Sequence, residues 1–520
     1  LTGHKKLWGG FKGKILMMKT MKNYITTISI CLVMSSCSWD DFGDLNVNPN
    51  ESTSPKTSAL LTNSMLTTGD NVLAITGVLY VQHLANKQYT SDDNYQTINF
   101  ATDTWYDGPL ADLQKIIEIN TDELTKVVAS ADGSNENQIA IAKILQSYYF
   151  LFLTDRWGDL PYSEALRGNE GLLTPKFDPQ SEIYDGSIQT LKDASAMIVT
   201  GPGTIPVKGD ILLDGDMELW KKMSNTIRLV AAQRLSKVNP SKAATEFSLA
   251  FNDGVIALDN SENLVFRYLN IQTYENPYYS SFVTQSRRDW TIADPLMNFM
   301  QLESYTSPHS GGKGKMNTVA DPRLPVYANP IENTTNQFIG MPYGLTEADA
   351  GSVPNSKVSF LGNAFRQQNS PAYIYTSAQI AFALAEGVVR GWIPGNAKAY
   401  YEQGILASLN QHGVGAGFNA YITNSEVAYD PGRALEQILT QKWIALFPNG
   451  YEAWAEWRRT GFPNLVPAAN AFTPSLQIPR RQAYGTTEAN LNTENHKEAL
   501  ARQGFQNDDL DGRVWWDVRE

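Results

Sequence analysis

The stretch from Tyr373 to His412, YIYTSAQIAFALAEGVVRGWIPGNAKAYYEQGILASLNQH, decides the fold class. Apolar residues recur with helical period over 373–389 and again over 397–412. Between these segments lie the residues that end a helix, Gly391-Trp392-Ile393-Pro394-Gly395. The first segment also carries small residues that let two helices approach closely: Ala378, Ala381, Ala385 and Gly387. The stretch therefore predicts a helix, a tight break and a second helix, as in tetratricopeptide-like pairs, which repeat about every 34 residues.

Other parts of the chain show the same helical period. The segments 138–154 and 219–238 each place their apolar residues on one helical face. Strand signals are sparse and short, at 263–268 and 357–360. The stretch 270–370 is rich in Gly, Pro, Asn and Ser, which predicts a loop-dominated surface region. We expect a mostly α fold of tetratricopeptide-like helix pairs: a single body over 57–520 with an irregular, loop-rich, ligand-facing insert over about 262–371.

Composition excludes several classes of function. The 520 residues hold 42 Lys and Arg against 54 Asp and Glu, a net charge of −12, which argues against a nucleic-acid binder. Two cysteines and five scattered histidines are too few for a thiolate zinc module or a histidine cage, so no metal site is expected. Asn507, Asp509, Asp511 and Gly512 resemble the first half of a calcium loop, but Val518 stands where the loop needs Glu. We expect no cofactor, with calcium as a minor alternative.

The N-terminal segment has the pattern of a secretion signal that ends in a lipid anchor. Residues 1–16 are an upstream extension, and Lys19 and Lys22 then precede an apolar stretch over 24–34 that is too short to span a bilayer. Met34-Ser35-Ser36-Cys37 follows and resembles the bacterial lipobox, in which Cys37 carries the lipid. This predicts a signal peptide over 1–36 and a lipidated tether over 37–56. An ordinary signal peptide, or an incidental cysteine, is the alternative.

Sequence blocks from one end of the chain to the other resemble one family. They are DFGDLNVNPN at 41–50, DRWGDLPY at 155–162, WKKMSN at 220–225, DPRL at 321–324, TQKWIALFPNGYEAWAEWRRT at 440–460, IPRR at 478–481 and VWWD at 514–517. In order and spacing the chain is similar to the SusD/RagB nutrient-binding outer-membrane lipoproteins. The resemblance implies a helical scaffold with an irregular ligand-facing region. It also implies a lid-like role over a SusC-like, TonB-dependent transporter that imports glycans or other nutrients.

Two loop regions have the side chains that sugar binding needs. Aromatic rings cover the apolar faces of a sugar, and polar side chains bind its hydroxyls. The segments 88–106 and 274–290 mix both kinds, and family ligand sites are similarly placed. The expected stacking residues are Tyr89, Tyr95, Tyr278, Tyr279 and Trp290, and the expected hydroxyl-binding residues are Asn94, Asn276, Arg287 and Arg288. The alternative for all of them is a role in packing the loops.

The sequence favours binding over catalysis. It contains no G-x-S-x-G elbow, no P-loop and no dinucleotide fingerprint, so no catalytic residue is predicted. We expect a lipid-anchored protein on the outer face of the outer membrane that captures a glycan or another oligomeric nutrient. A surface-anchored glycoside hydrolase stays open, because the spacing of paired carboxylates is invisible in sequence. A peptide-binding or adhesive lipoprotein also stays open.

Overall fold

The computed structural model describes residues 55–302 and 320–518. The predicted signal peptide, the predicted lipidation site Cys37 and nearly all of the predicted tether lie outside the described residues. From Lys56 onward the chain forms one compact unit.

α-Helices make up most of the regular structure in this part of the chain. Those of four residues or more are α1 Thr57–Val72, α2 Ile75–Tyr80, α3 Ala111–Thr121, α4 Lys126–Ala129, α5 Asn135–Trp157, α6 Gln180–Met197, α7 Met217–Arg234, α8 Pro240–Asp253, α9 Asp294–Met300, α10 Leu324–Tyr327, α11 Glu347–Ser352, α12 Ser377–Val389, α13 Ala397–Gln411, α14 Phe418–Ile422, α15 Ala434–Ala445, α16 Gly450–Thr460, α17 Thr486–Leu491 and α18 Thr493–Arg502.

The helix pair predicted from the opening stretch is formed by α12 and α13. Asn396 begins α13, because its side-chain oxygen accepts from the Ala399 N–H at 3.1 Å. The two helices approach so closely that a Cβ added at Gly404 would lie 2.8 Å from the Phe382 ring. Helix α12 starts later than predicted, at Ser377, because Thr376 caps it and accepts from the Gln379 N–H at 3.1 Å. The three residues before the cap belong to a strand.

Consecutive helices pack against each other along the chain. Helices α3, α5, α6, α7 and α8 form successive contacts, and α12 contacts both α13 and α15. The predicted helical segments 138–154 and 219–238 correspond to α5 and α7, although α7 ends at Arg234. The connections 235–239, between α7 and α8, and 390–396, between α12 and α13, are short, which makes these two pairs antiparallel. The mostly α scaffold of tetratricopeptide-like pairs is confirmed.

Strands in the described residues form two small antiparallel sheets. Strand β1, Leu84–Asn86, pairs with β3, Trp290–Ile292, and β2, Leu264–Phe266, pairs with β4, Ala372–Tyr375. The predicted strand at 357–360 is absent there, since Phe360 makes only a single bridge to Thr291.

The stretch 270–370 is not confined to the surface, which corrects the sequence-based expectation. Its loops separate short apolar segments that are completely buried, among them Ile292, Leu296, Met297, Leu324, Tyr327, Met341 and Leu361. These side chains belong to the main hydrophobic core. The Gly, Pro and Asn residues therefore set where the backbone turns, while the apolar residues between them anchor each turn.

Five tryptophans of the chain pack in the hydrophobic core. Trp157, Trp220, Trp443, Trp454 and Trp516 are almost fully buried. The Trp157 indole N–H donates to the Ala483 carbonyl at 2.9 Å, and the Asp159 carboxylate accepts from the Gln180 N–H at 2.9 Å. The segment 155–162 therefore fastens the end of α5 to the start of α6 and to the C-terminal region.

Charged side chains in the core join four helices. The Arg459 guanidinium donates to both oxygens of Glu386 at 2.7 Å, and neither side chain is exposed. Arg459 also bonds Glu456, which accepts from Lys442 at 2.8 Å and from Arg234. We call these five residues, from α7, α12, α15 and α16, the buried ion cluster.

Candidate ligand-binding site

The pairing of β1 with β3 brings the two predicted ligand loops together. Asn86 lies opposite Trp290 in this ladder, and the Lys87 N–H donates to the Asp289 carbonyl at 2.6 Å. The segment after β1 and the segment before β3 therefore leave the sheet side by side. This places Tyr89 beside Arg287, although they are far apart in the sequence.

Tyr89 and Arg287 form the exposed part of the site. The Tyr89 side chain is 54% exposed, and the Arg287 guanidinium lies over its ring at 5.2 Å from the centroid. Arg287 Nε donates to the Asp289 carboxylate at 2.6 Å, which fixes the direction of the guanidinium. This arrangement is a cation–π contact at the surface, with aromatic area and N–H donors still accessible to a ligand.

Trp290 lies at the base of this surface and is half-buried. Its ring meets Tyr278 edge to face at 5.4 Å and Phe282 at 6.2 Å. The Arg366 guanidinium lies over the Phe282 ring at 4.5 Å. The rings hold one another in place, so the indole edge has a fixed position in the site.

Four of the predicted ligand-binding side chains are buried and serve the fold. Asn94 donates to the Leu345 carbonyl at 2.9 Å, and the Tyr95 hydroxyl accepts from the Ala468 N–H at 3.1 Å. Asn276 caps a short helical turn, accepting from the Tyr278 N–H at 2.8 Å and donating to the Ser370 carbonyl at 2.9 Å. Each of the four, Tyr278 included, is at most 2% exposed. The neighbouring loops cover Asn94, Tyr95, Asn276 and Tyr278, so the structure does not bring these four predicted residues to the accessible part of the site.

The remaining five predicted residues are accessible. Tyr89, Arg287 and Arg288 are exposed, and Tyr279 and Trp290 are half-buried. We call Tyr89, Tyr279, Arg287, Arg288 and Trp290 the aromatic–arginine face. The residue type and loop context predicted these positions, but only the strand pairing decides which side chains of each loop point outward.

The structure adds Phe282 and Arg366 to the site. Phe282 lies within the loop segment that the sequence singled out, so its aromatic character was an available signal. Arg366 lies far along the chain, and its contact with Phe282 depends on the tertiary fold. Burial, together with the charge of Arg288, lowers the pKa of the Arg366 guanidinium.

The chemistry of the face suits a neutral or anionic ligand that offers oxygen acceptors. Its two arginines, Arg287 and Arg288, and the neighbouring Arg366 supply planar N–H donors. The carboxylate of Asp289 is bonded by Arg287, and that of Glu332 lies 4.0 Å from Arg288. Both neighbouring acids are therefore paired with arginines, while the rings supply apolar area. This combination can stack a sugar ring and bind its oxygen atoms.

Other concave parts of the described surface have a different chemistry. A cavity of about 620 Å³ is lined by Arg433 and Glu436, and one of about 210 Å³ is lined by Asp159 and Arg502. These ions bond each other, at 2.6 Å and 2.7 Å respectively. Within residues 55–302 and 320–518, no group of three or more His, Cys, Asp or Glu side chains is placed to hold a metal ion. In the suggested calcium loop, the Asp511 carboxylate accepts from Ser475 at 2.7 Å.

Comparison with known proteins identifies the family. A sequence model of SusD-like proteins, described as "Starch-binding associating with outer membrane", matches residues 49–485. The search of curated proteins gives no match. No helix in the described part of the chain has the length and apolar character to cross a bilayer.

Solved structures of the same fold cover most of the chain. A chitin-binding protein is 27% identical, with a TM-score of 0.72 over 89% of this chain and all of its own. A SusD homologue from Bacteroides fragilis is 23% identical, with a TM-score of 0.74 over 89% of this chain and all of its own. A chitin-binding SusD homologue from Flavobacterium johnsoniae is 22% identical, with a TM-score of 0.69 over 89% of this chain and 98% of its own. The sequence match over most of the chain and the shared helical fold together establish that this chain belongs to the SusD-like family.

Proposed function

We propose that this chain is a non-catalytic receptor that binds an oligosaccharide at the cell surface and delivers it to a SusC-like, TonB-dependent transporter. Membership of the SusD-like family supports the nutrient-binding role. The aromatic–arginine face supports a glycan as the nutrient, because its exposed Tyr89 ring and arginine donors match the apolar face and oxygen rim of a sugar.

The ligand class follows from the donors on the face. Guanidinium groups have N–H donors and no acceptor, so they select ligand oxygens that accept strongly, such as carbonyl groups. An N-acetylated sugar carries such a carbonyl beside its ring. Two of the structures similar to this chain are chitin-binding proteins, which supports the same choice. We therefore propose oligosaccharides of N-acetylated sugars as the first ligands to test.

Calorimetry with a glycan panel tests the binding role. The double variant Tyr89→Ala/Arg287→Ala removes the exposed ring and its guanidinium, so we expect affinity to fall by roughly tenfold or more. Tyr274→Ala is the matched control, because Tyr274 is an exposed tyrosine, at 43%, in the same segment 274–290 but is not a residue of the face. Equal affinity in the double variant and the parent would remove the face from the binding role.

A direct assay separates binding from hydrolysis. Incubation of the protein with a labelled oligosaccharide should leave the number of reducing ends unchanged. Asp289 and Glu332, two carboxylates beside the face, are paired with Arg287 and Arg288, which supports binding without bond cleavage. New reducing ends that depend on the protein would contradict the proposal and favour the glycoside hydrolase. Heat with peptides but with no glycan would favour the peptide receptor.

Anchoring and delivery have their own tests. The proposal places the protein on the outer membrane through lipid on Cys37, so labelled fatty acid should enter the parent chain and not the Cys37→Ser variant.

Delivery requires a transporter, so deletion of the cognate transporter should abolish glycan uptake by cells while leaving glycan bound at the surface. Uptake that continues unchanged would contradict the delivery role.

A further inference from the structure

A short helical segment at the surface turns its apolar face outward. Leu124, Val127 and Val128 are 88%, 72% and 78% exposed, and Ala131 is exposed beside them. Leu124 lies in the turn before α4, Val127 and Val128 lie in α4, and Ala131 lies in the turn after it; their spacing of three, four and seven residues places them on one side of this segment. Single exposed aliphatic side chains are ordinary, but three that share a helical face form an apolar projection. We call these four residues the apolar tip.

The chain enters the described body beside this tip. Ser58, in the first turn of α1, donates through its hydroxyl to Asp132 at 2.8 Å and through its N–H to the same carboxylate at 3.4 Å. Asp132 directly follows Ala131. The Lys208 N–H donates to the Asp132 carbonyl at 2.8 Å, so a third segment joins the same place. The start of α1 is therefore held against the turn that carries the tip.

The length of chain before α1 limits how far the tip can be from a lipid on Cys37. Cys37 lies 18 positions before Pro55, the first described residue. A fully extended chain spans at most about 3.6 Å per residue, so these residues reach no more than roughly 65 Å. A lipid on Cys37 therefore keeps the start of α1, and the turn bonded to it, within roughly 65 Å of the bilayer. The effective concentration of the tip at the lipid surface is then high, as for any tethered module.

We propose that the apolar tip inserts into the interfacial region of the lipid bilayer and orients the receptor on the membrane. The inference rests on the lipid-anchoring part of the proposed function. The tip carries only small aliphatic side chains, whereas protein interfaces rely on Trp, Tyr and Arg anchors. Lys126 and Lys208 lie beside the tip with partly exposed ammonium groups, which suit lipid phosphates. Glu123, which pairs with Lys126, stays at the aqueous edge.

A unique thiol allows insertion to be measured directly. The chain from residue 37 with Cys37→Ser contains no cysteine, so Val128→Cys can be labelled alone with a nitrobenzoxadiazole dye. An N-terminal histidine tag holds the protein on phosphatidylcholine vesicles that contain a nickel-chelating lipid, which replaces the natural anchor. We expect a blue shift of the dye emission on these vesicles and quenching by nitroxide-labelled acyl chains. Leu491→Cys, labelled in the same way, is the control, because Leu491 is 73% exposed elsewhere.

Two charged substitutions test whether the apolar side chains cause the insertion. In the Val128→Cys protein, Leu124→Asp with Val127→Asp should abolish the blue shift and the quenching, and leave the melting temperature unchanged because both side chains are exposed. Equal emission at positions 128 and 491 of the tethered protein would overturn the proposal. A shift at 128 only with vesicles that carry the transporter would also overturn it and assign the tip to a protein partner. Glycan affinity, measured in parallel, reports on the proposed function independently of these outcomes.

Discussion

Tyr278 lies beneath the aromatic–arginine face, and its buried hydroxyl has no hydrogen-bond partner among the described residues. The side chain is 1% exposed and its ring packs against Trp290, while burial raises the pKa of the hydroxyl. The ring therefore stabilises the site. The hydroxyl, a buried polar group without a partner in the described part of the chain, lowers the free energy of unfolding. Tyr278, which the sequence analysis assigned to ligand stacking, therefore supports the Trp290 ring from beneath.

Substitutions at Tyr278 should separate the ring from the hydroxyl. Tyr278→Phe removes the unpaired hydroxyl and keeps the ring, so the free energy of unfolding should stay equal or rise. Tyr278→Ala should lower it by about 3–5 kcal/mol, as for other large aromatic truncations in a core. Urea denaturation of the two variants measures both effects. A loss in Tyr278→Phe as large as in Tyr278→Ala would show that the hydroxyl is needed.

The buried carboxyl of Asp93, four residues after Tyr89, makes the free energy of unfolding depend on pH. Burial raises the pKa of this carboxyl to about 7 in the folded protein, although its Oδ2 accepts from the Asn86 N–H at 2.8 Å. The unfolded carboxyl titrates near 3.8, so between about pH 4 and pH 7 the folded state binds more protons than the unfolded state. The contribution of Asp93 to the free energy of unfolding therefore falls as the pH rises through this window.

Asp93→Asn should remove this dependence. The amide oxygen can still accept from Asn86, and no charge has to be buried above pH 7. We expect Asp93→Asn to raise the stability at pH 8 by up to about 4 kcal/mol, at 1.36 kcal/mol for each pKa unit, with little change at pH 4. Thermal melts at both pH values measure the difference. Asp107→Asn, at an exposed aspartate, is the control, and an equal gain in both variants would contradict the assignment to Asp93.

At the scale of elements, Asn276 organises the loop that carries half of the site. It caps the turn that begins at Pro277 and ties it to the Ser370 carbonyl. Tyr279, Arg287 and Trp290 all follow this cap in the chain. The direction of the loop as it leaves the core therefore depends on one amide side chain that is 1% exposed.

Asn276→Ala should weaken ligand binding from a distance. Loss of the cap and of the bond to Ser370 should lower the stability by about 1–2 kcal/mol and reduce glycan affinity, because the loop residues lose their fixed positions. Calorimetry and denaturation on the same sample measure both. Asn276→Asp keeps the acceptor for the Tyr278 N–H and should retain more affinity than Asn276→Ala. Unchanged affinity in Asn276→Ala would show that the loop is held by other contacts.

The sequence predicted elements whose signals are local and missed those that depend on distant partners. The helical period of 135–157 and the Gly–Pro break at 391–395 act within a few residues, so the helices and the pair of α12 and α13 were predictable. Ala85 and Thr291 are 206 positions apart, and their pairing leaves no local pattern. That pairing sets Tyr89 beside Arg287, while Tyr95 is buried by contacts with Tyr80 and with Ala468, which is 373 positions away. The site could therefore be predicted as two loops, but not side chain by side chain.

At the scale of the whole molecule, the buried ion cluster joins α7, in the first half of the chain, to α12, α15 and α16 in the second half. Burial raises the pKa of Glu386, but Arg459 and Arg390 outweigh this effect and hold it well below its usual range. Glu386 is therefore charged inside the core and depends on its arginine partners. Removing one ion from such a cluster leaves an uncompensated charge in a dry environment.

Arg459→Leu should be among the most damaging core substitutions. It leaves Glu386 without its bidentate partner, so the free energy of unfolding should fall by about 3–5 kcal/mol. Arg459→Leu combined with Glu386→Leu removes both charges and should lose less than the sum of the two single variants. Guanidinium denaturation of the single and double variants completes the cycle. Strict additivity would contradict a direct coupling of the two side chains.

The ladder between β1 and β3 has a consequence for the nascent receptor. The ribosome has made most of the N-terminal helices long before it adds residues 290–292, the partners of 84–86. During synthesis, an incomplete chain therefore cannot assemble the sheet that sets Tyr89 beside Arg287. The aromatic–arginine face can form only after residues 290–292 have joined the chain, so any affinity that depends on this face is absent from shorter nascent chains.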